Sequence, residues 1–304
     1  MLRPPYLRRG DLVAIASPAR KVSHEELLPA IRLFESWGLR VALPDHLFDS
    51  HHQWAGTDQT RAALMQRLLD DPEVKAIICA RGGYGTVRII DQLDFSAFIQ
   101  HPKWIVGYSD ITVLHSHIYR HCGIETLHAI MPVNITTETA EQPAPAIATL
   151  RQALFGGEVD CRFDCHPLNR AGVGEGPLVG GNLSILYSLC GSPSAIDTRG
   201  KILFIEDLDE YLYHIDRMMQ NLKRNGSLAQ LAGLVVGRFS DVHDNAVPFG
   251  MDAEEIIKAC VEEYAYPVAF GFPAGHIGTE NRALFLGRKA SLETSRTACS
   301  LRFF

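Results

Sequence analysis

Three side chains in this sequence have the types needed for acyl transfer, and each falls where a predicted element ends. The segment Lys103-Trp-Ile-Val-Gly-Tyr-Ser-Asp110 reads as a short buried strand closing on a Gly-x-Ser turn, and Ile111 to Tyr119 carries the apolar spacing of a helix. A serine at a strand–turn–helix junction stands clear of the sheet. Behind it lie the free N–H groups and the positive dipole end of the following helix, which favour negative charge beside the hydroxyl. That arrangement suits Ser109 as a nucleophile. The match to G-x-S-x-G is partial, because Ile111 occupies the second glycine position. The plainer use of Ser109 is as a helix cap, a role open equally to Asp110.

A serine nucleophile needs a base, and the base needs an orienting acid. Of thirteen histidines, His276 is set apart by its glycine-rich surroundings, Gly271-Phe-Pro-Ala-Gly-His-Ile-Gly278, after the predicted strand Pro267 to Phe270. Loops that follow strands are where catalytic side chains collect. Glu206 and Asp207 close the apolar run Ile202 to Ile205. Asp207 and Asp209 can serve as caps for the next helix. Glu206, one position nearer the sheet, is the candidate acid.

Arg81-Gly82-Gly83-Tyr84-Gly85 directly follows the run Ile77 to Ala80. Three glycines in four positions let bare N–H groups approach a ligand. Neither G-x-G-x-x-G nor a phosphate-binding loop with its lysine is present, so nucleotide binding has little support. An oxyanion hole from the Gly83 or Tyr84 N–H and the Asp110 N–H fits a serine nucleophile better, and a tight turn with no ligand is the bland alternative. His117 and His121 share a helix face, but the glutamate of H-E-x-x-H and a third ligand are missing. Cys161-x-x-x-Cys165-His166 has no second pair nearby. The seven scattered cysteines read as isolated thiols, not as a disulfide framework or metal site. Met218, Met219 and Leu222 have the spacing of a helix core stripe.

These candidates imply a scaffold. Segments alternate: strand Leu12 to Ser17, helix His24 to Trp37, strand Arg40 to Leu43, helix Thr57 to Leu69, strand Ala76 to Ala80, helix Thr86 to Leu93, strand Trp104 to Gly107, and a helix opening at Asp110. Such alternation predicts a parallel sheet covered on both faces, with ligands beyond the carboxyl ends of the strands. Ser17, Arg81 to Gly85 and Ser109 all fall at those ends. The pattern weakens from Gln142 to Gly176, where Pro143, Pro145 and Arg170 to Pro177 suggest a connection. It resumes with a helix to Cys190, strand Ile202 to Ile205, helix Tyr211 to Arg224, strand Leu231 to Gly237 and helix Ala253 to Tyr264. Further β structure is expected at Ala283 to Leu286 and Ser300 to Phe304. The expected division is residues 1–150, with the nucleophile; 151–176, connecting; and 177–304, with the acid and base.

The 304 residues are 46% hydrophobic and 21% charged, with net charge −6, the composition of an ordinary globular protein. No basic block points to nucleic acid, no apolar run reaches a membrane span, and residues 1–11 lack the apolar core of a secretory signal. A cytoplasmic location is expected.

Taken together, Arg81-Gly-Gly-Tyr-Gly85, Gly107-Tyr-Ser-Asp110, Gly180-Gly-Asn-Leu183, Phe204-Ile-Glu-Asp-Leu-Asp-Glu210 through Tyr213 to Asp216-Arg-Met218, and Gly275-His276 resemble the LD-carboxypeptidase family, in its order from end to end. Ala16-Ser-Pro18 and Trp54-Ala-Gly-Thr57 belong to the same series. The resemblance implies a cytosolic serine peptidase that removes the terminal D-alanine of murein tetrapeptide. It implies a flavodoxin-like N-terminal domain, a smaller C-terminal β/α domain with the site between them, and a homodimer without metal or cofactor. It assigns nucleophile, acid and base to Ser109, Glu206 and His276, and the oxyanion donors to the Gly83 and Asp110 N–H groups. For the substrate, Arg81 and Tyr84 are candidate contacts, although Arg81 can equally form a salt bridge within the fold. Microcin-immunity peptidases, which cleave aminoacyl-nucleotide amides, share the triad and are the nearest rival. A small-molecule binding protein without turnover and an amidotransferase-like enzyme are the rivals from other classes.

Overall fold

The computed structural model describes residues 1–304 apart from Gln142, Pro143 and Arg296. The first half supplies strands β1 (Leu12–Ala16), β2 (Arg40–Ala42), β3 (Val74–Cys79), β4 (Trp104–Gly107) and β5 (Thr126–His128). They stand in the order β5-β4-β3-β1-β2, every pair parallel, which is the flavodoxin-like order. The uninterrupted apolar runs of β1 and β4, and of β3 from Ala76 onward, have this explanation, since a parallel strand with helices on both sides is buried on both faces. Helices α1 (His24–Ser36), α2 (Asp58–Asp70), the short α3 (Ser96–Gln100) and α4 (Thr112–His121) form the crossovers. Ser23 and Glu26 start α1 with a reciprocal capping box, satisfying two N–H groups that the first turn leaves free.

After α5 (Thr137–Glu141) and α6 (Pro145–Phe155), the chain builds β6 (Cys161–Phe163), β7 (Gly172–Asn182), β8 (Ile202–Leu208), β9 (Gly233–Ser240) and β10 (Val268–Ala269), with α7 (Leu183–Leu189), α8 (Leu212–Arg224) and α9 (Ala253–Cys260) between them. Strands β11 (Leu284–Leu286), β12 (Lys289–Thr294) and β13 (Cys299–Phe303) follow. The second sheet runs β10-β9-β8-β7-β12-β13-β6, parallel from β7 to β10 and antiparallel from β7 through β12 and β13 to β6. On α8, Leu212, Ile215, Met218, Met219 and Leu222 are buried, so the methionine stripe is core.

The mixed α/β architecture is the one the sequence leads one to expect, with local differences. Thr86 to Leu93 forms two 3₁₀ turns, Thr86–Arg88 and Ile90–Gln92, in place of a helix. The expected connection before Gly176 is largely built: α6 ends in it, β6 lies in it, and Gly172 to Gly176 pair with Thr294 to Ala290 of β12. Its glycines at alternate positions carry no side chains, so the period-two signal of a strand is missing there. The start of that stretch, Gln142 and Pro143, lies outside the described residues. β11 is the expected late β segment, yet it joins the first sheet, antiparallel to β5, and ties the end of the chain to its beginning.

The two sheets meet where α4 packs on β7. A Cβ on Gly181 (φ +141°) would lie 2.5 Å from Thr112 Oγ1, so only a glycine allows this approach. Thr112 Oγ1 accepts the Asn182 N–H at 3.1 Å.

Candidate active site

β4 ends at Gly107; the buried Tyr108 comes next, and Ser109 follows with φ +63°. A non-glycine residue there costs free energy, and the surroundings must impose it. A 3₁₀ turn, Ser109–Ile111, then runs straight into α4, so the helix starts two residues after the expected position. The loop after β3 packs on this elbow: a Cβ on Gly82 would lie 2.9 Å from Ser109 Cβ and 3.4 Å from the Asp110 nitrogen. Among the described residues, neither the Gly83 nor the Asp110 N–H donates to a protein acceptor, and the half-buried Ser109 hydroxyl has no hydrogen-bond partner.

The Asp110 side chain has a task that its position in the sequence did not reveal. Its Oδ2 accepts the Thr86 N–H at 2.9 Å across the elbow, fixing the far end of the glycine loop. Burial pushes its carboxyl upward against the hydrogen bonds from Thr86 and Gly85 and the charge of Arg61. Sequence spacing could not pair residues 86 and 110; only the β3–β4 adjacency does.

Glu206 follows the apolar run Ile202 to Ile205 of β8, where the register with β9 slips between Ile205 and Asp207. Such a bulge re-aims a side chain. Glu206 is fully buried, and its Oε2 lies 2.6 Å from Nδ1 of His276. Burial disfavours the imidazolium, but the hydrogen bond and charge of Glu206, with the charge of Asp207, outweigh it and raise the His276 pKa above its ordinary value. The buried Asn281 holds the histidine loop through its Oδ1, which accepts the Gly275 N–H at 2.9 Å. The His276 ring lies 4.8 Å from the Tyr108 ring, centroid to centroid, placing the candidate base beside the residue that precedes Ser109. Ser109 and His276 are not themselves hydrogen-bonded; such contacts tighten when substrate binds.

Asp207 points to the other face of β8. It accepts the Asn182 amide at 2.7 Å and the Ser184 N–H at 2.8 Å, while burial and the neighbouring Glu206 push its carboxyl up to about 7. Asn182 therefore links Asp207, next to the acid, to Thr112, in the first turn after the elbow. The buried His128 ring packs between Tyr108 and Phe204 at 5.7 and 5.0 Å, and burial keeps it neutral, with its pKa well below the ordinary value. Local pattern does not reveal this placement, since nothing nearby marks a histidine on a three-residue strand.

The remaining candidates separate. Arg81 faces Glu26 at 3.4 Å, and Tyr84 is exposed beside the glycine loop. His117 bonds Ser194 and His121 bonds the Pro193 carbonyl, so both fasten α4 to the segment before β8. Cys165 lies against Cys299 with 3.1 Å between sulfurs, and Cys161 accepts from Arg282. Among the described residues no three His, Cys, Asp or Glu side chains form a metal-binding group, and no helix is long and apolar enough to cross a membrane.

Comparison with known proteins adds three findings. Residues 12–129 match the LD-carboxypeptidase N-terminal domain, and residues 175–292 match the LD-carboxypeptidase C-terminal domain. The chain is 39% identical to a probable murein peptide carboxypeptidase of Bacillus subtilis, over 96% of this chain and 92% of that one. The crystal structure of muramoyltetrapeptide carboxypeptidase from Oxalobacter formigenes superposes with a TM-score of 0.85 at 28% identity, covering 96% and 98% of the two chains. The microcin C7 self-immunity protein MccF in complex with aspartyl sulfamoyl adenosine reaches the same TM-score at 21% identity, over 99% and 98%, a likeness of fold.

Proposed function

The chain belongs to the LD-carboxypeptidase family, and we propose that it is a cytosolic serine peptidase that removes the C-terminal D-alanine of murein tetrapeptide by a Ser109–His276–Glu206 triad. The observation that carries this reading is the His276 imidazole, paired at 2.6 Å with the buried Glu206 and resting against Tyr108 beside the Ser109 elbow. In this reading Glu206 accepts the Nδ1–H of His276, so Nε2 carries the lone pair and serves as base. His276 takes the Ser109 proton while Oγ attacks the carbonyl on the L-centre side of the scissile amide. The unengaged Gly83 and Asp110 N–H groups receive the oxyanion. His276 then protonates the leaving amine, D-alanine departs, and water attacks the acyl-enzyme by the same proton path. No step calls on a metal or cofactor.

The test is mass spectrometry of murein tetrapeptide incubated with the wild-type protein and with Ser109→Ala. The expected result is loss of one alanine residue with wild type only. Alanine release by both proteins overturns the nucleophile, and release by neither overturns the substrate. In the latter case an aminoacyl-nucleotide amide is the next substrate to try.

A further inference from the structure

A carboxypeptidase must recognise a free terminal carboxylate next to the bond it cuts, and a cation is the usual means. The cleft beside Ser109 lies at the carboxyl ends of β1 and β3, the switch point of this strand order, where open α/β sheets bind their ligands. Four cations follow these two strands closely. Arg81 is matched by Glu26 at 3.4 Å, Arg88 by Asp58 at 2.6 Å, and Lys21 bonds the Ser50 hydroxyl at 3.0 Å. Arg20 is different. Among the described residues no carboxylate lies within salt-bridge distance of it and its guanidinium makes no hydrogen bond, although it is exposed.

Its stem is nonetheless held. The Arg20 N–H donates to the Gly82 carbonyl at 3.4 Å, and the side chain lies across Gly83, where a Cβ would come within 2.0 Å of Arg20 Cδ and 2.5 Å of Cγ. Gly83 (φ +104°) thus has no room for a side chain because Arg20 fills the space. Gly82, the next residue, touches Ser109. One short glycine loop therefore has the nucleophile packed on one residue and an unmatched guanidinium on the next.

The geometry points to Arg20 as the residue that binds the free carboxylate of the substrate's terminal residue and so makes the cleavage carboxyl-terminal. This rests on the peptidase reading above and adds the group that selects the chain end. In a peptide the terminal carboxylate oxygens lie about 4–5 Å from the carbonyl carbon under attack, a short span that suits a guanidinium whose stem crosses Gly83, next to the Gly82 that packs on Ser109. The planar fork can take both oxygens at once. Arg81, already facing Glu26, is not needed for this role.

The test compares murein tetrapeptide with its C-terminal carboxamide, which keeps the scissile bond and removes the charge. Wild type is expected to prefer the acid by roughly 100-fold in kcat/KM, since the amide offers one acceptor oxygen where the carboxylate offers two, turns an N–H toward the guanidinium and carries no charge. Arg20→Gln is expected to lose most of that preference through the acid alone, and Arg20→Lys to restore part of it. Binding is measured in parallel by calorimetry in the Ser109→Ala background, where no turnover occurs. Acid preference that disappears in Ser109→Ala/Arg20→Gln supports the assignment. Preference that survives there overturns Arg20 while leaving the peptidase reading intact, provided wild type still releases alanine. Absence of turnover by wild type together with absence of acid preference in Ser109→Ala, both of which retain Arg20, removes the two together.

Discussion

The proposed nucleophile side and the proposed base side of this site are held by opposite means. Ser109 is fixed by backbone: a positive φ, a glycine loop packed on it, and a helix that starts immediately after. Among the described residues its hydroxyl has no partner, and the Gly83 and Asp110 N–H groups are unengaged. Glu206 and His276 are fixed by side chains, with a buried carboxylate bonded to an imidazole and a loop pinned by Asn281. The elbow thus stores unfavourable conformation and unmet hydrogen bonds, whereas the pair stores favourable charge. A site divided in this way should lose activity without losing stability on one side, and lose both on the other.

The sharpest way to break the comparison is Ser109→Gly. It removes the nucleophile, and kcat is expected to fall by roughly 10⁴ or more, as for a triad member. Glycine also accepts φ +63° without a Cβ penalty, which offsets its greater freedom in the unfolded chain. Stability is expected to hold or to rise by up to about 1 kcal/mol. Thermal melts of Ser109→Gly and wild type decide this, and a clear drop in Tm removes the claim that the elbow is strained.

Glu206→Gln probes the other side. The neutral amide keeps the shape but removes the charge that raises the His276 pKa, and kcat is expected to fall by about 10²–10⁴. The pH dependence carries the sign. His276 must be neutral to act as base, and its pKa is raised above the ordinary value, so kcat/KM should decline as pH falls through a limb lying above that value. Without Glu206 the lowering effect of burial is less opposed, and the limb should move to lower pH. Unlike Ser109→Gly, this variant is also expected to lose stability, because Oε2 no longer carries a charge for the imidazole. A pH–rate profile whose limb stays in place would remove Glu206 as the group that tunes the base.

The same division explains what could be read from the sequence. Ser109, Glu206 and His276 each sit at the end of an apolar run or in a glycine-rich loop, so local pattern was enough to single them out. The parallel sheet followed from strands alternating with helices, and its flavodoxin-like order from the family resemblance. What escaped is non-local. The bond from Asp110 to Thr86 depends on β3 lying beside β4, the passage of Arg20 over Gly83 depends on β1 lying beside β3, and His128 gains its place only when Phe204 of β8 packs on it. The strand Gly172 to Gly176 escaped for a different reason: its alternate glycines erase the hydrophobic period, although Gly174 is needed because a Cβ there would fall 1.9 Å from the Ala232 carbonyl oxygen. β11 was legible as a strand but not as a member of the first sheet.

The smallest expected effect tests whether the two sides are coupled at all. Thr112, Asn182 and Asp207 form a hydrogen-bonded line from the elbow's helix to the strand that carries the proposed acid. Its weak point is Gly181, where alanine would have to adopt φ +141° and place its Cβ 2.5 Å from Thr112 Oγ1. The backbone conformation alone costs about 1–3 kcal/mol. Relief of the clash must push α4 away from β7, carrying Ser109 relative to His276. Gly181→Ala is therefore expected to lower Tm and to reduce kcat/KM by roughly tenfold or more, since a misplacement of about 1 Å can cost two orders of magnitude in rate. Thr112→Ala shortens the obstructing side chain to one methyl, so in the double variant Gly181→Ala/Thr112→Ala part of the activity should return while the backbone cost remains. If Gly181→Ala lowers Tm but leaves kcat/KM unchanged, the line through Asn182 is only packing, and the nucleophile and base are positioned independently.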